Sequence, residues 1–187
     1  AVGFAFVQQI GKTPIVVNDA RGFFTSRVFA TYVMEGIAML RDGVHPRSIE
    51  VAGQQAGMPM PPLALQDEVS LSLSLHVAEQ TQRDLAAEGR AVDEHPALAV
   101  IRQLCALGRV GKKAAQGFYD WPDAQQKAAG AERRLWPGLG EHFPVAAAQP
   151  AQRELMDRLM FIQANEAARC LEQGVLRSVA DGNIGSI

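Results

Sequence analysis

The densest apolar patterning in the chain runs through "FTSRVFATYVMEGIAMLR", where Glu35 is the only charged residue between Arg27 and Arg41. Its apolar residues fall on every side of a 3.6-residue repeat. That predicts a helix from about Phe24 to Arg41, buried all round. Just before it, "TPIVVND" is β-branched and bounded by Pro14 and Asn18-Asp19, the pattern of a short buried strand. "AVGFAFVQQIGK" reads as the closing turns of a helix. A helix end, a Gly-Lys step and a strand make half of an α/β unit, and one such unit cannot form a sheet alone. Residues 1–19 are therefore expected to be the tail of an α/β domain lying upstream.

Beyond Gly22 the periodicity is helical. "HPRSIEVAGQQAG" places Pro46 at a first helical position and Gly57 at a C-terminal stop. "GMPMPP" reads as a rigid connector whose prolines hold the backbone extended. "EVSLSLSLHVAEQTQRDLAAEG" mixes signals: its Ser-Leu alternation has period two, while its second half is helical. It is read as a loop or short turn followed by a helix from about Leu73 to Ala87. "DEHPALAVIRQLCALG" reads as a helix closed by Gly108. Residues 122–151, rich in Ala, Gln, Gly and Pro, read as a connector with one short helix near Ala131–Leu135. Helix returns from Gln152 with "QRELMDRLMFIQANEAARCLEQG".

That last helix repeats the first. Arg27 and Glu35 stand eight apart, as do Arg158 and Glu166, and Gly43 and Gly174 each follow their glutamate by eight. A single offset of 131 relates all three pairs, which identifies an internal duplication. Two copies of such a helix can cover one another pseudo-symmetrically, as two subunits do in a dimer.

Composition narrows the function. Hydrophobic residues make up 48% of 187 and the formal net charge is −2, so the chain can fill a core and carries no basic surplus for nucleic acid. No run is long and apolar enough to predict a membrane span. Cys105 and Cys170 lie far apart and the four histidines are scattered, so no metal spacing is visible and the thiols fit a reducing, cytoplasmic setting. "GRVGKK" is not a phosphate loop, since Ala106 stands where its first Gly belongs and Lys113 where Ser or Thr belongs. Lys112 and Lys113 remain available to an anionic substrate tail. Glu35 and Glu166 could be buried general bases, but as a duplicated pair they fit better as carboxylates satisfied by backbone amides or an arginine. Arg27 and Glu35 are two turns apart on one helix, so their partners should lie elsewhere. Ser26 lies where strand, loop and helix meet: a helix N-cap, or a ligand-facing residue at the seam.

The chain resembles the 3-hydroxyacyl-CoA dehydrogenases. "GKTPIVVNDARGFFTSRV" is similar to their junction, a Gly-Lys, a strand and an Asp before Pro-Gly-Phe-X-X-Asn-Arg. "GMPMPP" with Asp67 is similar to their Gly-X-Pro-Met-Gly-Pro…Asp. "GKKAAQGFYDW" is similar to their Gly-X-Lys-X-X-X-Gly-Phe-Tyr, and "NEAARCLEQGV" to the second helical copy of multifunctional members, the fatty-acid oxidation complex alpha subunits. The resemblance implies an all-α domain of the 6-phosphogluconate-dehydrogenase C-terminal type with a partial second copy, preceded by a short αβ remnant of a Rossmann domain. It divides the chain into a Rossmann tail (1–19), a first helical domain (20–121), the connector (122–151) and a truncated second copy (152–187).

The implied reaction is NAD-dependent oxidation of an L-3-hydroxyacyl-CoA to the 3-ketoacyl-CoA in β-oxidation. The implied catalytic His and Glu, the NAD site and any enoyl-CoA hydratase domain would all lie upstream. The implied partners are an acyl-CoA substrate, a dimer or pseudo-dimer through the apolar helices, and a thiolase subunit in the full complex. One implied catalytic position falls inside: Ser26 stands where the family has Asn. Arg21 replaces the family's Pro and Pro61 a family Gly. Two other readings fit the same residues: a helical interaction module that has lost catalysis, and an NAD dehydrogenase for another hydroxy acid.

Overall fold

The computed structural model describes residues 2–90 and 93–186. In chain order its helices are α1 (Val2–Gln9), α2 (Thr25–Arg41), α3 (Pro46–Gln55), α4 (Pro62–Val69), α5 (Leu71–Ala87), α6 (Ala97–Ala106), α7 (Ala124–Ala128), α8 (Leu139–His142), α9 (Gln152–Glu172) and α10 (Val179–Gly185). The only sheet among the described residues is β1 (Tyr119–Asp120) paired antiparallel with β2 (Arg134–Leu135). The fold is all-α, as the family resemblance implies. The chain divides into two units, residues 1–32 with 160–187, and residues 33–159.

In the first unit the core is Phe24, Cys170, Val175 and Leu176, with Ile15, Val17 and Val28 packed against it. Both copies of the repeat contribute to it. Residues 13–19 are not the sheet strand the β-branched pattern predicts. They make a single bridge, Val17 to Leu176, and Asn18 donates its backbone N–H to Val175 O (2.9 Å) and its side chain to Gly174 O (2.7 Å). The partner is thus the loop after α9. Helix α1 buries no residue, and Val2, Phe6 and Ile10 are more than half exposed.

In the second unit the C-terminal half of α2 is enclosed, with Ile37, Met39 and Leu40 at most 1% exposed. Gly36 is the closest approach. A β-carbon there would lie 2.5 Å from Pro62 Cβ, with Ile49 also adjoining, so α3 and α4 press on this face. The helix is not buried all round along its whole length: Phe29 and Ala30 are exposed. Likewise α9 buries Leu155 and Leu159 but leaves Met160 and Phe161 exposed.

Three local readings fail. Pro61-Pro62 does not begin a connector; Pro62 opens α4, because proline suits a first helical position whose N–H is unpaired anyway. The Ser-Leu alternation is helix from Leu71, and the break from α4 is one residue, Ser70, at φ 88°. Leu71 is fully buried while Leu73 is half exposed, so no two-residue alternation of burial survives. The helix expected at Ala131–Leu135 is instead partly β2, with Arg134 opposite Asp120.

Two buried carboxylates tie this unit together. Glu50 on α3 accepts from the Leu63 N–H (2.8 Å), the Ala64 N–H (3.3 Å) and the Tyr119 hydroxyl, so it caps α4 and anchors β1. Asp67 on α4 accepts from the Phe118 and Tyr119 N–H groups (2.9 and 3.0 Å) and from the Trp121 indole (2.8 Å). Burial pushes the Glu50 carboxyl up to about 7 and Asp67 to about 6, against the pull of these donors. Burial, with Glu50 beside it, also raises the Tyr119 phenol. Gly117 is pressed so closely on the Asp67 carboxylate that a β-carbon would overlap it.

Both carboxyls bind a proton more tightly folded than unfolded. Their contribution to stability is therefore full below pH 4 and is lost as pH rises through about 6 for Asp67 and 7 for Glu50. Urea unfolding of Glu50→Gln against the parent should shift in the variant's favour between pH 5 and 8, and a difference independent of pH would contradict this. Gly117→Ala should lose roughly 2–3 kcal/mol in the same assay, since overlap with a buried, fully bonded carboxylate cannot relax cheaply.

Candidate functional site

The junction that carries Ser26 is a tight turn at residues 21–24 leading into α2. Gly22 has φ 76° and Phe23 φ 49°, so two consecutive residues are left-handed. Glycine adopts this freely, but for phenylalanine it costs on the order of 1 kcal/mol. The turn sends the two rings apart: Phe24 is 1% exposed and Phe23 is 52% exposed. Ser26 is the second residue of α2 and lies at the surface, and its hydroxyl makes no hydrogen bond among the described residues. It is not the N-cap, because the residue before the helix is the buried Phe24. Its hydroxyl is left able to donate to, or accept from, a ligand.

The duplicated charges are paired, each with the other copy. In the first unit Arg27 Nε donates to Glu166 Oε1 (2.6 Å) and its Nη1 to Gln173 Oε1 (2.9 Å). In the second unit Arg158 Nε donates to Glu35 Oε1 (2.7 Å) and its Nη2 to Asp42 (3.2 Å). Burial works against the charge of Arg158, but the bond to Glu35 with Asp42 nearby more than offsets it and raises its pKa. Each guanidinium therefore holds a carboxylate of the opposite copy. Glu35 and Glu166 are engaged as ion-pair partners, which fits the structural reading of them better than the catalytic one. The same register recurs elsewhere: Met39 and Cys170 are both fully buried, Val44 and Val175 nearly so, and Gly43 and Gly174 are both left-handed.

Lys112 is not a free cation. Its Nζ is 2.5 Å from Glu68 Oε1 and 5.1 Å from the Trp121 ring centre. Lys113 is exposed beside it. Sequence reasoning missed Arg109, which is 6% exposed and binds Gly117 O (2.7 Å), Tyr119 O (3.1 Å) and Asp120 (2.7 Å) while lying 4.1 Å from the Trp136 ring. Only the aromatic run "GFYDW" hinted that this loop needs internal support. Cys105 and Cys170 are free thiols, and burial raises both. Among the described residues no three His, Cys, Asp or Glu side chains gather as a metal site, and no helix is long and apolar enough to cross a membrane. The described residues also lack a parallel sheet and a glycine-rich strand-to-helix turn, so they do not themselves fit a dinucleotide such as NAD.

Comparison with known proteins bears on this arrangement directly. The family model described as 3-hydroxyacyl-CoA dehydrogenase, C-terminal domain, matches residues 22–121, more than half of the chain. Among curated proteins the chain is similar to fatty acid oxidation complex subunit alpha of Shewanella frigidimarina (31% identical), Shewanella amazonensis (32%) and Shewanella loihica (33%). Each match covers 100% of this chain, which spans a quarter (25%) of each relative's length. The match begins at Gly22, in the left-handed turn, and ends at Trp121, whose indole binds Asp67. The chain belongs to the 3-hydroxyacyl-CoA dehydrogenase C-terminal domain family.

Proposed function

We propose that the chain is the helical, substrate-closing and assembly portion of an NAD-dependent L-3-hydroxyacyl-CoA dehydrogenase of fatty-acid β-oxidation, a cytoplasmic enzyme. The observation that carries this reading is the family match over residues 22–121, with full-length similarity of the chain to oxidation-complex alpha subunits. In this reading residues 1–19 are the tail of an upstream Rossmann domain, 20–121 the first helical domain, 122–151 a connector and 152–187 the start of a second copy. The four exposed apolar side chains Val2, Phe4, Phe6 and Ile10 support it, since a free-standing helix would not present them to water. NAD, bound by the upstream domain, accepts the hydride. A thiolase subunit is the expected partner in the complex, with an acyl-CoA as substrate.

This chain's own contribution to the chemistry is Ser26. Its surface position and unengaged hydroxyl suit a hydrogen bond near the reacting oxygen of the substrate, though serine reaches less far than the asparagine it replaces. The left-handed Gly22-Phe23 turn positions it, because the turn fixes where α2 begins.

The longer parent protein should form NADH from an L-3-hydroxyacyl-CoA, and the 187-residue chain alone should form none. NADH from the chain alone, or none from a well-folded parent, would overturn the proposal. The second outcome would favour a helical module that has lost catalysis. In the parent, Ser26→Asn should leave thermal unfolding unchanged and hold or raise turnover, with any fall smaller than about threefold. A fall of a hundredfold or so would mean that the site is built around serine.

A further inference from the structure

Within residues 33–159 a cleft of about 360 Å³ opens between the turn at Lys112, the Trp121-Pro122 corner, α7 and the segment before β2. Three cations from three different elements line it: Lys112, Lys127 and Arg133. Two carboxylates, Glu68 and Glu132, complete its charged lining. Lys112 is held by Glu68 and serves the wall. Lys127 and Arg133 have no carboxylate within ion-pair distance among the described residues. The Arg133 guanidinium instead lies over two rings, 5.2 Å from the Tyr119 centre and 5.1 Å from that of Trp121. A cation stacked on an aromatic face in this way keeps its N–H donors for another partner.

The scaffold behind these cations is rigid. Trp121 is fixed by its indole bond to Asp67 (2.8 Å) and by its N–H to Ala115 O (2.9 Å). A capping box closes α7, with Asp123 accepting from Gln126 N (2.7 Å) and the Gln126 side chain accepting from Asp123 N (3.0 Å). Pairing of β1 with β2 sets where Arg133 emerges. Lys127 and Arg133 line the same cleft and both keep their N–H donors, and arginine's planar fork matches the oxygens of a phosphate.

We propose that this cleft binds a phosphate-bearing anion, gripped by Lys127 and Arg133 with Lys112 at its wall. The same grip would serve an inorganic anion or the phosphorylated end of a nucleotide-containing ligand. The inference stands on the cleft alone and does not depend on the dehydrogenase reading.

Calorimetric titration of the chain with pyrophosphate, and separately with adenosine 3′,5′-bisphosphate, tests it. Saturable binding is expected in at least one titration, with Kd on the order of 0.1 mM. Lys127→Gln and Arg133→Gln should each weaken it by about tenfold, and Lys12→Gln, an exposed residue of the other unit, should not. Tighter binding of the bisphosphate identifies a nucleotide-linked phosphate as the ligand, and tighter binding of pyrophosphate an inorganic one. Lys127 is an exposed helical residue, so its variant keeps the test valid if Arg133→Gln unfolds. No saturable binding of either probe, or equal loss in Lys12→Gln, would overturn the proposal.

Discussion

Two arginine–glutamate pairs that cross between copies of the repeat are the constraint on which the rest of the molecule depends. A charge taken half out of water must meet an opposite charge or lose several kcal/mol of hydration. Arg27 and Glu166 are 19% and 11% exposed, and Arg158 and Glu35 are 31% and 17% exposed, so none of the four can be left single. Two copies of one helix have been matched so that each supplies the cation for the other's anion. Arg and Glu stand in the same register in both copies, across an offset of 131 residues, and the exchanged pairs use both. Leu40 is buried, yet its counterpart Leu171 is 40% exposed, so the surroundings of the copies differ while their charges do not.

The second constraint is the Asp67 carboxylate. Its three donors come from a loop about fifty residues away, and they convert a sequence of glycines and aromatics into one fixed corner. Arg109 braces that corner from its other side through two backbone carbonyls. Burying Asp67 costs the group its usual acidity, and the bonds it accepts limit that cost. The charged cleft is lined by the Trp121 that this corner holds. The family match ends at the same tryptophan.

Much of this was legible in the chain. Helices α2, α3, α6 and α9 followed from apolar spacing, proline at first positions and glycine stops, which are local signals. The duplication was legible because a charged residue on an apolar helix is costly and rarely recurs in register by chance. The exchange of partners was not: eight-residue spacing showed that Arg27 could not easily reach Glu35, but only folding shows that it reaches Glu166. Helix α4 was missed because its N-terminal amides are capped by Glu50, thirteen residues earlier, and no local pattern reports a cap from another helix. The buried strand expected at residues 13–19 is instead a single bridge from Val17 to the loop after α9, a long-range pairing that no local pattern reports. Ser26 was singled out by its place in a motif, and its exposure beside a left-handed phenylalanine is a property of the backbone alone.

The central claim is that each copy of the repeat holds the other through an exchanged ion pair. The most direct test is a pair of double-mutant cycles read by urea unfolding, Arg27→Met with Glu166→Gln and Arg158→Met with Glu35→Gln. Each cycle should give a coupling of about 1 kcal/mol or more, with both double variants more stable than the sum of their single losses predicts. Pairing Arg27→Met with Glu35→Gln should give simple additivity. Strict additivity within the exchanged pairs, or coupling between Arg27 and Glu35, would contradict the account.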